Sequence, residues 1–196
     1  MTAKKKENNR LSPTKYLELE RASLDIKHEY FNGELFAMVG ARKNHVRINA
    51  NLTGELRNSF KKNSPPCEVW PSDMRVKIET GYVYPDIAIS CEDPEFEDNE
   101  FDTLTNPIVI IEILSESTEA FDRGGKFDFY QNIPTLKEYI LISQDKYRIE
   151  QYVRQEQKDT WKYRSLKHID QALRIESANC EIPLAEIYLN VKFEDQ

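Results

Sequence analysis

The stretches Pro85-Asp86-Ile87-Ala88-Ile89 and Ile108-Val109-Ile110-Ile111-Glu112-Ile113-Leu114 decide the fold. Each is a short, β-branched run of the kind that forms a strand buried on both faces. Each also carries a single carboxylate, Asp86 in the first and Glu112 in the second. Acidic side chains are almost never fully buried unless they are paired or bind a cation. We therefore expect these strands to be neighbours whose two carboxylates converge on one cation.

The composition indicates one globular domain without a membrane span. The chain has 196 residues, 39% of them hydrophobic and 31% charged, which suits a single domain with a substantial core. We expect residues 1–10 to form a mobile tail and residues 11–196 to form that domain. No apolar run is long enough to cross a bilayer, and residues 1–10 are too polar for a signal peptide. These features predict a cytoplasmic protein.

The cysteine pattern supports the same location. Cys67, Cys91 and Cys180 are odd in number, widely spaced and without a C-x-x-C motif. We therefore expect reduced thiols, and neither a disulfide framework nor a structural zinc site.

The charge is unevenly distributed along the chain. The net charge is −7, which by itself argues mildly against nucleic-acid binding. Residues 92–102 contain seven acids and no base, whereas residues 42–62 contain one acid and six bases, namely Arg42, Lys43, Arg47, Arg57, Lys61 and Lys62. The basic segment is compatible with local binding of a polyanion, and equally with an ordinary solvated helix face.

Turn and cap signals organise the N-terminal part of the chain. Ser12-Pro13 predicts a helix start, with the helix continuing to about Ala22. Asn32-Gly33 predicts a β-hairpin over residues 27–39. Glu34 directly follows that turn; most acids beside a turn are solvent-exposed, but Glu34 is also a candidate third acid of the site.

The clearest helix is predicted over residues 45–62. Its core stripe recurs every four residues and consists of Ile48, Leu52, Leu56 and Phe60. His45 extends this stripe at the start of the helix. Such a histidine is more often packed or capping than catalytic, although it can also point into a site beside the first turn.

The second half of the chain predicts a βαβ unit and further strands. Residues 108–142 read strand, helix, strand, for which parallel strands are the default. Asp122, Lys126 and Tyr130 share one face of the intervening helix if it is regular, and Gly124-Gly125 predicts a bend or close packing there. Residues 148–153 and 161–166 predict an outer hairpin, and the C-terminal third predicts a sheet extension and a short helix near residues 184–189.

Two carboxylates on adjacent strands suit a hard cation such as Mg²⁺ or Mn²⁺, which takes oxygen ligands and contacts substrate phosphates directly. Such an ion activates water and stabilises the charge of a phosphoryl transition state.

The order Pro85-Asp86, then Glu112-Ile113-Leu114 on the next strand, resembles the PD-(D/E)XK nuclease superfamily. Residues from about 12 to 143 are also similar to one bacterial branch of restriction-endonuclease-like proteins of unknown specificity. The closer likeness rests on an ordered set of residues: Glu29-Tyr30-Phe31-Asn32-Gly33-Glu34, His45, Asn51-Leu52, Tyr84-Pro85-Asp86, Ile111-Glu112-Ile113-Leu114-Ser115-Glu116-Ser117-Thr118, Asp122-Arg123, Lys126, Tyr130 and Pro134.

The resemblance implies an α/β fold with a restriction-endonuclease-like core, in which a mixed central β-sheet is flanked by helices, with an additional N-terminal hairpin and C-terminal β extension. It also implies a divalent metal at Asp86 and Glu112 and hydrolysis of DNA phosphodiester bonds. A homodimer is implied as well, because cutting both strands of a duplex calls for two sites. The lysine expected two residues after Glu112 is Leu114 in this chain. Lys126 is the candidate for a lysine that has migrated in sequence, and a structural salt bridge between Asp122 and Lys126 is the competing interpretation.

Two functions follow from these patterns. The first is a Mg²⁺-dependent or Mn²⁺-dependent endonuclease. Its candidate catalytic residues are Asp86, Glu112, Lys126 and Glu34, and its candidate DNA contacts are Arg42, Lys43, Arg47 and His45. The second is a catalytically weak or inactive module with a nuclease fold, which binds nucleic acid or a partner protein through the basic segment.

Two other functions are excluded by spacing. A phosphate-binding loop ending at Lys126 needs glycine at position 120 and Ser or Thr at position 127, where the chain has Ala120 and Phe127. A zinc-protease motif starting at His28 needs histidine at position 32, where the chain has Asn32.

Overall fold

The computed structural model describes residues 10–62, 67–157 and 160–193. The predicted tail therefore falls almost wholly outside the described residues. The helices are α1 (Pro13–Ala22), α2 (Lys43–Phe60), α3 (Glu119–Phe121), α4 (Phe127–Tyr130) and α5 (Leu184–Ile187). The strands are β1 (His28–Phe31), β2 (Glu34–Ala37), β3 (Cys67–Pro71), β4 (Arg75–Ile78), β5 (Gly81–Val83), β6 (Ile87–Cys91), β7 (Thr103–Leu104), β8 (Val109–Leu114), β9 (Glu138–Ser143), β10 (Ile149–Arg154), β11 (Trp161–Leu166), β12 (Ala172–Ile175) and β13 (Cys180–Pro183).

The central sheet has six strands in the order β11-β10-β9-β8-β6-β3. Strands β6 and β8 are antiparallel neighbours, with Ile87 opposite Ile111, and β8 runs parallel to β9. The sheet is therefore mixed. The α/β fold, the neighbouring acid-bearing strands and the parallel βαβ unit are confirmed.

Successive residues of β8 point to opposite faces of the central sheet. Ile111 and Ile113 pack into the apolar cluster that contains the stripe of α2. Ile110 and Leu114 pack into a second cluster, together with Tyr130 of α4. Because Glu112 shares its face with Ile110 and Leu114, its carboxylate is directed toward α4 and away from the α2 stripe.

Helix α2 begins two residues earlier than predicted and ends at Phe60. Its four predicted core residues, Ile48, Leu52, Leu56 and Phe60, are all buried, as a stripe of this spacing requires when a helix packs on a sheet.

A second sheet, which the sequence analysis did not anticipate, has the order β2-β1-β5-β4-β7. The predicted hairpin is its outer part: β1 and β2 pair with Phe31 opposite Glu34. Asn32 and Gly33 have φ values of 49° and 91°, as a two-residue turn between twisted antiparallel strands requires. The hairpin therefore belongs to a five-stranded sheet that is separate from the central one.

The chain between β8 and β9 is not one regular helix. A π-helical segment, Asp122–Lys126, separates α3 from α4. A β-carbon added to Gly125 would lie 2.5 Å from Cε2 of Phe121, whereas one added to Gly124 would meet no atom within 4 Å. The predicted close packing at the two glycines is therefore due to Gly125.

This difference predicts opposite effects for two alanine substitutions. Gly125→Ala is expected to lower the free energy of unfolding by about 1–2 kcal/mol because Phe121 must shift. Gly124→Ala is expected to raise it by up to about 1 kcal/mol, because alanine restricts the unfolded chain. Urea denaturation of both variants measures the effects, and equal losses would contradict the packing described.

The outer hairpin is confirmed as β10 and β11, which extend the central sheet. The C-terminal third differs from the prediction because β12 and β13 pair only with each other, as a separate two-stranded ribbon. Leu173 and Ile182 of this ribbon join the cluster around α2, so the ribbon covers a face of the core instead of lengthening the sheet. Across the described ranges, no helix has the length and apolar character that a membrane span needs.

The expectation that all three cysteines are free thiols is wrong. Cys67 on β3 and Cys91 on β6 are direct cross-strand partners, and their sulfur atoms form a disulfide. Cys180 is free and buried. The pairing escaped the sequence analysis because it depends on the register of two strands that are distant in sequence.

Thiol titration in denaturant tests this pairing. One reactive thiol per chain, Cys180, is expected before reduction and three after it. Three reactive thiols without a reductant would contradict the disulfide and support the expectation of three free thiols.

Candidate active site

The two acids that the sequence singled out are linked to each other's strands by main-chain hydrogen bonds. Asp86 immediately precedes β6, and Glu112 lies within β8. The main-chain N–H of Asp86 donates to Oε2 of Glu112 at 3.3 Å. The main-chain N–H of Ile113 donates to Oδ2 of Asp86 at 2.7 Å. The antiparallel pairing of β6 and β8 therefore fixes both acids through backbone donors.

Glu112 is buried among polar groups of the helical connection. Its Oε1 accepts a hydrogen bond from the hydroxyl of Tyr130 at 2.8 Å and another from Nζ of Lys126 at 3.1 Å. Burial raises the pKa of Glu112; Lys126 opposes this rise, and the nearby acids Asp122, Asp86 and Glu29 add to it. The charged form of Glu112 is therefore disfavoured by burial and by the nearby acids, and a further cation would favour it.

Lys126 is surrounded by three carboxylates. Its Nζ lies 3.1 Å from Oε1 of Glu112, 3.1 Å from Oε1 of Glu29 and 3.5 Å from Oδ1 of Asp122. Burial alone would lower the pKa of Lys126, but these three acids outweigh it, and the pKa is raised. The contact with Glu112 is compatible with a migrated lysine, and the Asp122 ion pair of the competing interpretation is present as well.

The surroundings of Leu114 explain why the strand lacks the lysine expected two residues after Glu112. It is buried at 3% exposure in the cluster that contains Phe31 and Tyr139. An ammonium group at this position would be surrounded by apolar side chains, which is costly. The positive charge reaches Glu112 from the helical connection instead.

His45 points into the site, which is one of the two placements that the sequence left open. Its Nε2 is 2.8 Å from Oδ1 of Asp86, so the first turn of α2 points into the site. Nearby, the side-chain amide of Asn49 donates to the main-chain carbonyl of Asp86 at 3.2 Å. His45 therefore contacts a site carboxylate directly, in addition to any role toward nucleic acid.

Glu34 is not brought to the other candidates. It lies exposed on β2, and within the described ranges its side chain forms no hydrogen bond or ion pair with Asp86, Glu112 or Lys126. Glu29 on β1 reaches Lys126 instead. The signal in the sequence was its register: Glu29 lies two residues before the buried Phe31 and therefore on the same strand face. A carboxylate at an inward-facing strand position is the informative observation in the sequence.

The predicted DNA contacts Arg42, Lys43 and Arg47 lie at or near the first turn of α2. Arg42 forms an exposed ion pair with Glu116 at 3.2 Å, and Arg47 donates to the main-chain carbonyl of Asn190 at 2.6 Å. Lys43 is exposed. The basic side chains at the start of α2 thus stand beside His45, whereas those near residue 60 lie at the opposite end of a helix about 27 Å long.

The donor set of the site suits a divalent metal that keeps several of its own waters. No group of three or more His, Cys, Asp and Glu side chains in residues 10–62, 67–157 and 160–193 forms a ready metal cage. Mg²⁺ does not need one, since it keeps several waters and binds through one or two carboxylates plus substrate phosphates. Asp86 and Glu112 supply that number of carboxylates. The side chains of Asp86 and His45 keep 16% and 15% exposure, against 4% for Glu112, so solvent reaches the site from the Asp86 side.

Comparisons with known proteins agree with this architecture. A crystal structure from Anabaena variabilis, described as a "putative nuclease belonging to DUF820", matches with a TM-score of 0.73, covering 91% of this chain and 97% of that one. At 14% identity, this likeness concerns the fold.

Two proteins of Synechocystis sp. are related in sequence. The uncharacterized protein slr1290 is 33% identical over 186 residues, 94% of each chain. The uncharacterized protein sll1609 is 40% identical over 144 residues, 72% of this chain and 80% of that protein. Residues 13–184 match the Uma2 family model, which is described as "Putative restriction endonuclease". The chain belongs to the Uma2 family.

Proposed function

We propose that this protein is a metal-dependent endonuclease that hydrolyses phosphodiester bonds of DNA, with Mg²⁺ or Mn²⁺ held by Asp86 and Glu112. One observation carries the proposal: two acids from neighbouring strands are linked by the Asp86 N–H to Glu112 hydrogen bond, with Lys126 3.1 Å from Glu112. The family description and the nuclease-like fold support it.

A divalent ion bound by these carboxylates would activate a water molecule and stabilise the charge that develops on the phosphoryl group. The chain's own residues prepare the carboxylates for this. The N–H of Ile113 and the ring of His45 each contact one oxygen of Asp86. Tyr130 and Lys126 both contact Oε1 of Glu112. Lys126 also supplies a fixed positive charge toward the scissile phosphate.

DNA is proposed to approach along the start of α2. The site is open to solvent on the side of Asp86 and His45, and Arg42 and Lys43 are exposed in that turn. Basic side chains there would position the phosphate backbone without reading its sequence.

A cleavage assay tests the function. Supercoiled plasmid, linear duplex and single-stranded DNA are incubated with the protein in Mg²⁺, in Mn²⁺ and in EDTA. We expect cleavage of at least one substrate with either metal and none in EDTA. Cleavage that persists in EDTA would contradict a metal-dependent mechanism, and inertness toward all three substrates would contradict a nuclease.

The alternative of an inactive binding module is favoured by one observation. Three acids already surround Lys126, as expected for a purely structural ion-pair cluster. Such a module would bind DNA or a partner protein equally well in EDTA, and Asp86→Ala would leave that binding intact.

The proposal extends to assembly and location. A homodimer would bring two sites to one duplex, and light scattering in solution measures this state. The proposed DNA substrate supports a cytoplasmic location for this protein. The Cys67–Cys91 disulfide argues against that location, because disulfides are unusual in a reducing compartment.

A further inference from the structure

We propose that Glu29 is the third acid of the site, acting as the positioning residue for Lys126. This inference rests on the proposed nuclease function, and it gives Glu29 the place of the third acid, for which Glu34 was a candidate in the sequence.

The contacts of Glu29 fix its carboxylate. Its Oε1 accepts the main-chain N–H of Tyr84 at 3.1 Å and lies 3.1 Å from Nζ of Lys126. Tyr84 stands two residues before Asp86 in the chain, so the segment that ends at the metal-binding acid also anchors Glu29.

The donor count of Lys126 explains what Glu29 does. An ammonium group has three N–H donors, and here three carboxylates lie around it. Asp122 is one helical turn away, and its contact at 3.5 Å is the longest of the three. Glu29 comes from the other sheet and makes a contact as short as that of Glu112. It therefore holds the ammonium from an element outside the helical connection.

Glu29 also determines how strongly Lys126 competes for Glu112. A divalent ion and Lys126 both interact with the Glu112 carboxylate. With Glu29 present, part of the lysine's charge is neutralised away from Glu112, which favours the ion. Without Glu29, Lys126 would pair more closely with Glu112, and the site would lose one negative charge. Both changes weaken metal binding.

Glu29→Gln tests this role, because glutamine keeps the size and the acceptor for Tyr84 but loses the charge. Glu79→Gln, an exposed acid at the β4–β5 turn, is the matched control. We expect Glu29→Gln to lower the kcat for DNA cleavage roughly ten- to hundredfold with little change in KM. Calorimetry without DNA should show Mn²⁺ binding weakened severalfold. Glu79→Gln should change neither property.

A double-mutant cycle separates positioning from simple stabilisation. In a Lys126→Met background, Glu29→Gln should have little further effect on kcat, because the lysine it positions is gone. Thermal melting in Mn²⁺ shows whether Lys126→Met folds. If it does not fold, Lys126→Gln takes its place in the cycle.

Three outcomes would overturn the inference while leaving the nuclease function standing. These are unchanged cleavage and Mn²⁺ affinity in Glu29→Gln, a full additional loss in the Lys126→Met background, and a larger loss in Glu34→Gln than in Glu29→Gln. A wild-type protein that neither binds Mn²⁺ nor cleaves DNA would instead overturn the proposed function, and the inference with it.

Discussion

Replacing Lys126 by methionine is expected to lower the free energy of unfolding by about 3–5 kcal/mol in EDTA, because a buried ion-pair cluster loses its only ammonium. The side chain of Lys126 is only 8% exposed, and those of Glu112, Glu29 and Asp122 are 4%, 13% and 3% exposed. The three acids would remain close together without a cation between them.

Divalent ions should restore much of this loss. A metal that binds only the folded state stabilises it by mass action, and Lys126 no longer competes for Glu112. Urea denaturation in EDTA and in Mn²⁺ measures the effect, with the exposed Lys137→Met as a control expected to stay within about 0.5 kcal/mol of wild type. If Lys126→Met were as stable as wild type in EDTA, the charge cluster would have no energetic importance.

The Asp86→Asn and Glu112→Gln substitutions are expected to reduce DNA cleavage by a thousandfold or more. A metal's stabilisation of transition-state charge is worth several kcal/mol, and each 1.36 kcal/mol corresponds to about a factor of ten in rate. Both amides preserve side-chain size and can still accept the backbone hydrogen bonds from Ile113 and Asp86.

Calorimetry with Mn²⁺ and plasmid cleavage under single-turnover conditions provide the measurements. Asp93→Asn, which removes an exposed acid from the loop after β6, should bind Mn²⁺ and cleave as wild type does. Substantial cleavage by the Asp86→Asn/Glu112→Gln double variant would place the metal, and the chemistry, elsewhere in the molecule.

Local patterns in the sequence predicted much of the fold because their causes are local. The stripe of α2, the Asn32-Gly33 turn and the apolar run of β8 each require only neighbouring residues to be interpreted, and each is present in the structure. The proximity of Asp86 and Glu112 was predictable as well, since carboxylates within buried strands need a partner.

The remaining features depend on contacts between distant parts of the chain. The division into two sheets places Glu29 beside Lys126 and leaves Glu34 exposed. Spacing alone did not distinguish these two acids of one hairpin, because Glu34 lies opposite Phe31 and so shares the face of Glu29. Glu29 lies on β1, between β2 and β5, whereas β2 is the edge strand of the smaller sheet. The Cys67–Cys91 pair and the contact of His45 with Asp86 likewise depend on tertiary register.

The site draws its side chains from β1, the first turn of α2, the start of β6, strand β8 and the π-helical segment. A ribosome must therefore synthesise the chain beyond Tyr130, and both sheets must dock, before Lys126 meets Glu29 and Glu112. A nascent or truncated chain that ends earlier lacks the complete charge cluster, whatever local structure it has formed. The activity proposed for this site would therefore appear only late in synthesis, and a partly made chain would lack it.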